Sequence, residues 1–298
     1  QHIEHVAKRI NYNTSGILSP FLNSEKYKIY SALIQNYHED FSEGYEQGVQ
    51  KHKERIRKLV EKYTSQDIDR LIQVCTESIW SFDKEERNLS QGLGYVFEAL
   101  QDREQLFLCL AEAYMKADTP YKISGDIVLN RLFEFMPVTE VKRFITQYSY
   151  EQQNVWLWDF YALMPEQEIS AHWVEDLLSY LNSPDTRIKS SPYRRINSLE
   201  KYEVVEPNII PQALRIVASH YEESPFVFSL YVPGILNHIN QKDVEGVLEK
   251  FAEELPLLED IYLKGITCSN HEDYDGALLF AIISVDTSFL HRYLDRLI

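Results

Sequence analysis

The segment Cys268-Ser-Asn-His271-Glu-Asp273-Tyr-Asp275-Gly276 groups residue types that bind metals. Laid on a calcium loop, Asp273 and Asp275 take the third and fifth places and Gly276 the turn. His271 stands where the first aspartate belongs, and Ile282 replaces the bidentate glutamate. Two of the strongest ligands are missing, so an acidic loop between helices is the better reading. Cys268 and His271 have no second pair nearby for zinc, and His2 and His5 sit at a terminus. No metal or cofactor is expected. Cys75, Cys109 and Cys268 each stand in apolar company, "LIQVCTE", "LFLCLAE" and "KGITCSN", as buried structural thiols do. Gly92-Leu-Gly94 lacks the third small residue of a dinucleotide fingerprint and follows no strand. A phosphate loop, a nucleophile elbow and a His-Glu-x-x-His motif are all missing from the sequence. The expectation is a protein that is not an enzyme. The alternative is an enzyme whose site is scattered over several helices.

Two basic groups could meet a phosphate or an acidic partner. In "KHKERIRKLVEK", Lys51, Arg55, Lys58 and Lys62 share one face at spacings of three and four, opposite Ile56, Leu59, Val60 and Tyr63. In "NSPDTRIKSSPYRRIN", residues 182–197, Arg187, Lys189, Arg194 and Arg195 cluster in a proline- and serine-bearing loop. The rest of the chain is acidic. Net charge is −16. Residues 1–143 hold 19 Lys/Arg and 22 Asp/Glu, and residues 144–298 hold 11 and 24. From Phe144 to Thr186 there are seven acids and no Lys or Arg. That field repels nucleic-acid phosphate and favours a basic partner. Asp159, a lone acid in the apolar run 155–164, is expected on the solvent side of its helix.

The elements that carry these groups read as helices. With 10 glycines and 11 prolines in 298 residues, an all-β fold lacks its turns. Four polar residues are each followed three later by an acid or amide, ahead of amphipathic runs: Thr64…Asp67, Asp102…Gln105, Ser149…Gln152 and Asn240…Asp243. Periodicity then predicts helices over 24–38, 42–63, 66–80, 89–100, 103–117, 125–136, 139–148, 150–164, 171–182, 208–222, 225–239, 241–252, 255–265, 275–285 and 287–297. The best strand candidate, "YEVVEP" at 202–207, has no partner. Trp156, Trp158 and Trp173 fall in "NVWLWDFYALMPEQEISAHWVEDLLSYLN", residues 154–182. Their spacing predicts core filling in an antiparallel helix pair rather than a ligand box. Ser170 is placed to cap the second helix. On that helix Trp173, Leu177 and Leu181 form one stripe, with Glu175, Asp176 and Ser179 facing away.

Short helices joined by short turns pack antiparallel, and many in series predict an all-α protein of stacked pairs, an α-solenoid. An irregular multi-helix bundle is the alternative. The steps from Thr64 to Asp102 and on to Ser149 lie near the period of two-helix repeats, about 40–47 residues. In that architecture the chain resembles the HEAT and armadillo helical-repeat proteins, without a consensus signature. The expected organisation is a lead-in or linker over 1–23 and one helical domain over 24–298, interrupted by the loop at 182–197. With no apolar window of about 18 residues, no membrane partner is expected. An odd cysteine count and the lack of a leader suggest the reducing cytoplasm. The function expected is a protein-interaction, scaffold or sensor module, a fragment of a larger multidomain protein. It would dock another protein or another domain of its own chain, and its 20 tyrosines suit an interface. A helical array binding nucleic acid or a phosphate ligand is the alternative.

Overall fold

The computed structural model describes residues 24–34, 44–76, 83–117, 123, 125–150, 153–183, 199–219, 248, 255–266 and 276–298. Helices dominate these residues, and none of them forms a strand. In chain order the α-helices are α1 Glu25–Leu33, α2 Tyr45–Val60, α3 Ser65–Thr76, α4 Asp83–Leu100, α5 Glu104–Ala117, α6 Gly125–Phe135 and α7 Val138–Thr146. There follow α8 Gln153–Leu163, α9 Ala171–Leu181, α10 Ile209–Ser219, α11 Leu255–Ile266, α12 Ala277–Val285 and α13 Phe289–Leu297. The helices expected at 225–239 and 241–252 lie, apart from residue 248, outside the described residues, as does the Asn240…Asp243 cap. The chain divides into two compact units, 1–153 and 154–298.

In the first unit, the residues before each helix explain where it starts. Ser24 Oγ accepts the Tyr27 N–H of α1 at 3.2 Å. Before α3, the Thr64 N–H and Oγ–H both donate to Asp67 Oδ2, at 2.8 and 2.7 Å. Those bonds hold the Asp67 carboxyl below its ordinary value. α4 begins six residues before the apolar periodicity does, because its first turns, "DKEERN", are wholly polar. α5 opens one residue later than a cap at Asp102 would place it. The Arg103 carbonyl accepts its first N–H bonds, from Leu106 and Phe107.

These helices dock on the second helix along as well as on their neighbours. α2 packs on α4 and α3 on α5, while α4 also meets α5 and α6, and α6 meets α7. Skipping one helix is what stacked antiparallel pairs do: first helices form one layer and second helices another. α1 lies against α2, α3 and α4. Gly92 sets its approach to α4: a Cβ there would stand 2.2 Å from the Leu33 carbonyl oxygen. Only glycine lets the two backbones come so near.

Two arginines close helix ends in this unit. The last carbonyls of a helix have no intrahelical partner, and a cation there also meets the negative end of the dipole. Arg103 Nη1 donates to Val60 O at 2.7 Å and its Nη2 to Tyr63 O at 2.7 Å, sealing α2. Arg55 Nη2 donates to Ile34 O at 3.0 Å, beyond the end of α1, and His52 Nε2 lies 3.0 Å from Ala32 O.

In the second unit, Trp156, Trp158 and Trp173 are all buried, as the spacing of 154–182 predicts. Trp158 stacks on Tyr180, and Phe160 meets Trp173 edge to face. Ser170 does precede α9, but its side chain makes no capping bond. Asp159 departs from expectation. It is buried, in a helix whose residues from Trp156 to Leu163 are all buried or half-buried. Asp176 does not simply face away either: it is half-buried and accepts the Tyr161 hydroxyl at 2.9 Å. α9 packs on α10, and α13 on α11 and α12. Arg292 Nη2 bridges Glu259 Oε2 and Asp286 Oδ2, each at 2.8 Å, tying α13 to α11.

Candidate functional site

The chemistry sought in the sequence falls mostly into structural roles. Gly276 is a left-handed residue directly before α12, and Ile282 is buried within that helix. The stretch that would complete a calcium loop is therefore helix, and residues 268–275 lie outside the described residues. Among the described residues no three His, Cys, Asp or Glu side chains gather to hold a metal. Cys75 is buried in α3, and burial pushes its thiol up to about 12, away from the reactive thiolate. Of the basic face on α2, Arg55 turns onto the end of α1. Lys58 is exposed and lies 3.7 Å from Glu54. Lys51 is exposed beside Tyr45, Glu46, Val49 and Gln50 in a shallow depression. Lys51 and Lys58 thus stay exposed on α2, while Arg55 is turned onto α1. Arg187, Lys189, Arg194 and Arg195 lie outside the described residues.

What the sequence did not reveal is a cleft in the second unit. It forms where α8 stops. Met164-Pro165 breaks that helix, and Glu166–Glu168 makes a single 3-10 turn before α9. Across from it, residues 199–204 form further 3-10 turns where "YEVVEP" was weighed as a strand. Between the two segments opens a cleft of about 950 Å³. Leu163, Pro165, Ile169, Val204 and Val205 supply its apolar surface, and Glu166, Glu200 and Lys201 its charges.

The cleft wall is held by side chains of 199–204 reaching the open end of α8. Lys201 Nζ donates to Ala162 O at 2.9 Å and to Met164 O at 2.5 Å. The Tyr202 hydroxyl donates to Tyr161 O at 2.7 Å. These bonds satisfy carbonyls that α8 itself leaves without partners. Burial pushes the Lys201 amine down to about 8, against the pull of the Glu166 carboxylate. Burial raises the Tyr202 and Tyr161 phenols, with the Asp176 carboxylate adding to each. With Lys201 and Tyr202 fixed to the backbone, Val204 is left standing 91% exposed at the mouth, beside Val205. Glu166 and Glu168 are exposed on the opposite turn.

The lysine amine is directed at two carbonyls rather than at the opening. An aliphatic floor with acids at its edge suits a segment that brings both apolar and charged groups. No protein-family model, curated protein or solved structure matches the chain.

Proposed function

We propose that this chain is a non-catalytic interaction module, a scaffold or sensor piece that docks a segment of another protein or of another domain of its own chain. The supporting observation is the cleft beside α8. It exposes Val204 almost completely, while Lys201 and Tyr202 fix the segment that carries it. An exposed aliphatic side chain on a braced support is preorganised for contact, so little ordering opposes binding. The docking pattern of α2 through α6 supports a HEAT- or armadillo-like stack as the scaffold, a class that presents extended surfaces to partners. The acidic second half disfavours the alternative, a nucleic-acid-binding array.

Panning a random displayed-peptide library against the full chain tests the reading, with the Val204→Glu variant as counter-screen. The module is expected to retain peptides that the variant does not. A library in which every retained peptide binds both proteins equally removes the cleft as a docking site.

A further inference from the structure

The cleft has a charge pattern as well as a shape. Resting on the reading of it as a docking site, we infer that its occupant is a basic segment with an aliphatic anchor: a Leu, Ile or Val side chain against Val204 and Val205, flanked by Lys or Arg at Glu166 and Glu168. Two features point the same way.

Leu163, Pro165, Ile169, Val204 and Val205 supply an aliphatic surface for the anchor. With Val204 91% and Val205 38% exposed, covering them removes water from both partners at once.

The charges around that surface are acids. Glu166 and Glu200 line the cleft, and Glu168 is exposed on the same turn as Glu166. Among the described residues the one base in the lining, Lys201, turns its ammonium onto Ala162 O and Met164 O. Across 144–186 no Lys or Arg offsets seven acids. Lys and Arg are also the charged residues whose own stems lie comfortably along an aliphatic wall.

The end of α8 uses its carbonyls on Lys201, so the lysine ammonium is turned away from the opening and does not offset those acids there. Phosphate would meet the wrong sign from Glu166 and Glu168, which sets nucleic acid aside.

The test uses the full chain with its Val, Leu and Ile methyls labelled, titrated with three synthetic peptides and followed by NMR. One alternates lysine with leucine, one glutamate with leucine, and one lysine with serine. The Lys/Leu peptide is expected to shift the Val204 and Val205 methyls. Val204→Ser should weaken it about tenfold, and Glu166→Gln about two- to fivefold. Added salt should weaken it further. Both variants alter exposed side chains, and far-UV circular dichroism confirms that they fold. If the Glu/Leu peptide binds at the valines as well or better, the basic occupant is wrong and docking survives. If the Lys/Ser peptide equals Lys/Leu, the anchor is wrong. If single-stranded oligonucleotide shifts the same methyls, the protein occupant is wrong. If no probe moves them, both the inference and the docking reading fall.

Discussion

Gly92 and Gly94 stand two apart in α4, and exchanging each for alanine should move stability in opposite directions. A Cβ on Gly92 would lie 2.2 Å from Leu33 O and 2.9 Å from Leu33 C and Cα. All three atoms are backbone, so no side chain can rotate away. Contact between carbon and carbonyl oxygen begins near ~3.3 Å, so α1 and α4 must part by roughly 1 Å. Such overpacking costs about 1–3 kcal/mol, against about 1 kcal/mol that alanine gains over glycine in a helix interior. At Gly94 the nearest group is Ile127 Cδ1 at 3.5 Å, an ordinary contact, so the helical gain stands alone. The two variants should differ by about 2 kcal/mol, near thirtyfold in the opening equilibrium of the first unit. Cys75, 1% exposed in α3, reports that opening. Its labelling by a thiol reagent should be faster in Gly92→Ala than in the parent and slower in Gly94→Ala, with urea melts giving the same order. Equal labelling in the two variants would refute the close crossing of α1 on α4.

Arg103→Met should lower the stability of the first unit by about 1–3 kcal/mol in urea melts, since it strips the seal from the Val60 and Tyr63 carbonyls. Arg103→Lys should recover only part of the loss, because one ammonium cannot span the two carbonyls as the guanidinium fork does. Cys75 gives the same unit a falling alkaline limb. Its thiol sits at about 12 when folded against an ordinary 9.0, so the unfolded chain releases a proton first. Stability is then lost as pH climbs above 9.0, and Cys75→Ala should flatten that slope. Lys201 works in the opposite sense in the second unit. With its amine at about 8 against 10.5, the unfolded chain binds the extra proton, so stability rises as pH goes from 8 towards 10.5. Hydrogen exchange of α8 across that range should lose the rise in Lys201→Met. Asp67→Ala should cost about 1 kcal/mol as a lost cap. Because the folded Asp67 carboxyl is held low, that contribution should vanish as pH falls through its folded value, which an acid titration of the two proteins would show.

The helices were legible in the sequence because their signals are local. Thr64 and Asp67 are three residues apart, and the bonds that open α3 involve only the two of them. Trp156, Trp158 and Trp173 were legible as core because α8 reads as apolar over most of its circumference and Trp173 lies on the apolar stripe of α9. Where the partner is remote, the sequence is silent. Asp102 looked like the start of α5, but the neighbouring Arg103 holds the end of α2, 40 residues away. Asp159 looked like a solvent acid because a single helix drawn alone always has an outside. The cleft was beyond reach, since its two lips come from 162–169 and 200–205. Only the fold brings them together, and "YEVVEP", read alone, alternates like a strand. Gly92 carried a faint signal: Gly92-Leu-Gly94 is part of an incomplete dinucleotide fingerprint, yet what comes close to Gly92 is the backbone of α1.

The cationic seals have a consequence for how the chain is made. Arg55 lies 21 residues beyond the Ile34 carbonyl it holds, Arg103 lies 40 beyond Tyr63, and Lys201 lies 39 beyond Ala162. In each case the seal is synthesised after the helix it closes. A nascent α2 leaving the ribosome stays open at its end until the chain has grown past α4. Domains emerge at about 5–20 residues per second, so that exposure lasts seconds, long compared with helix formation. Each of these three helices therefore gains its closing cation only from a segment made after it.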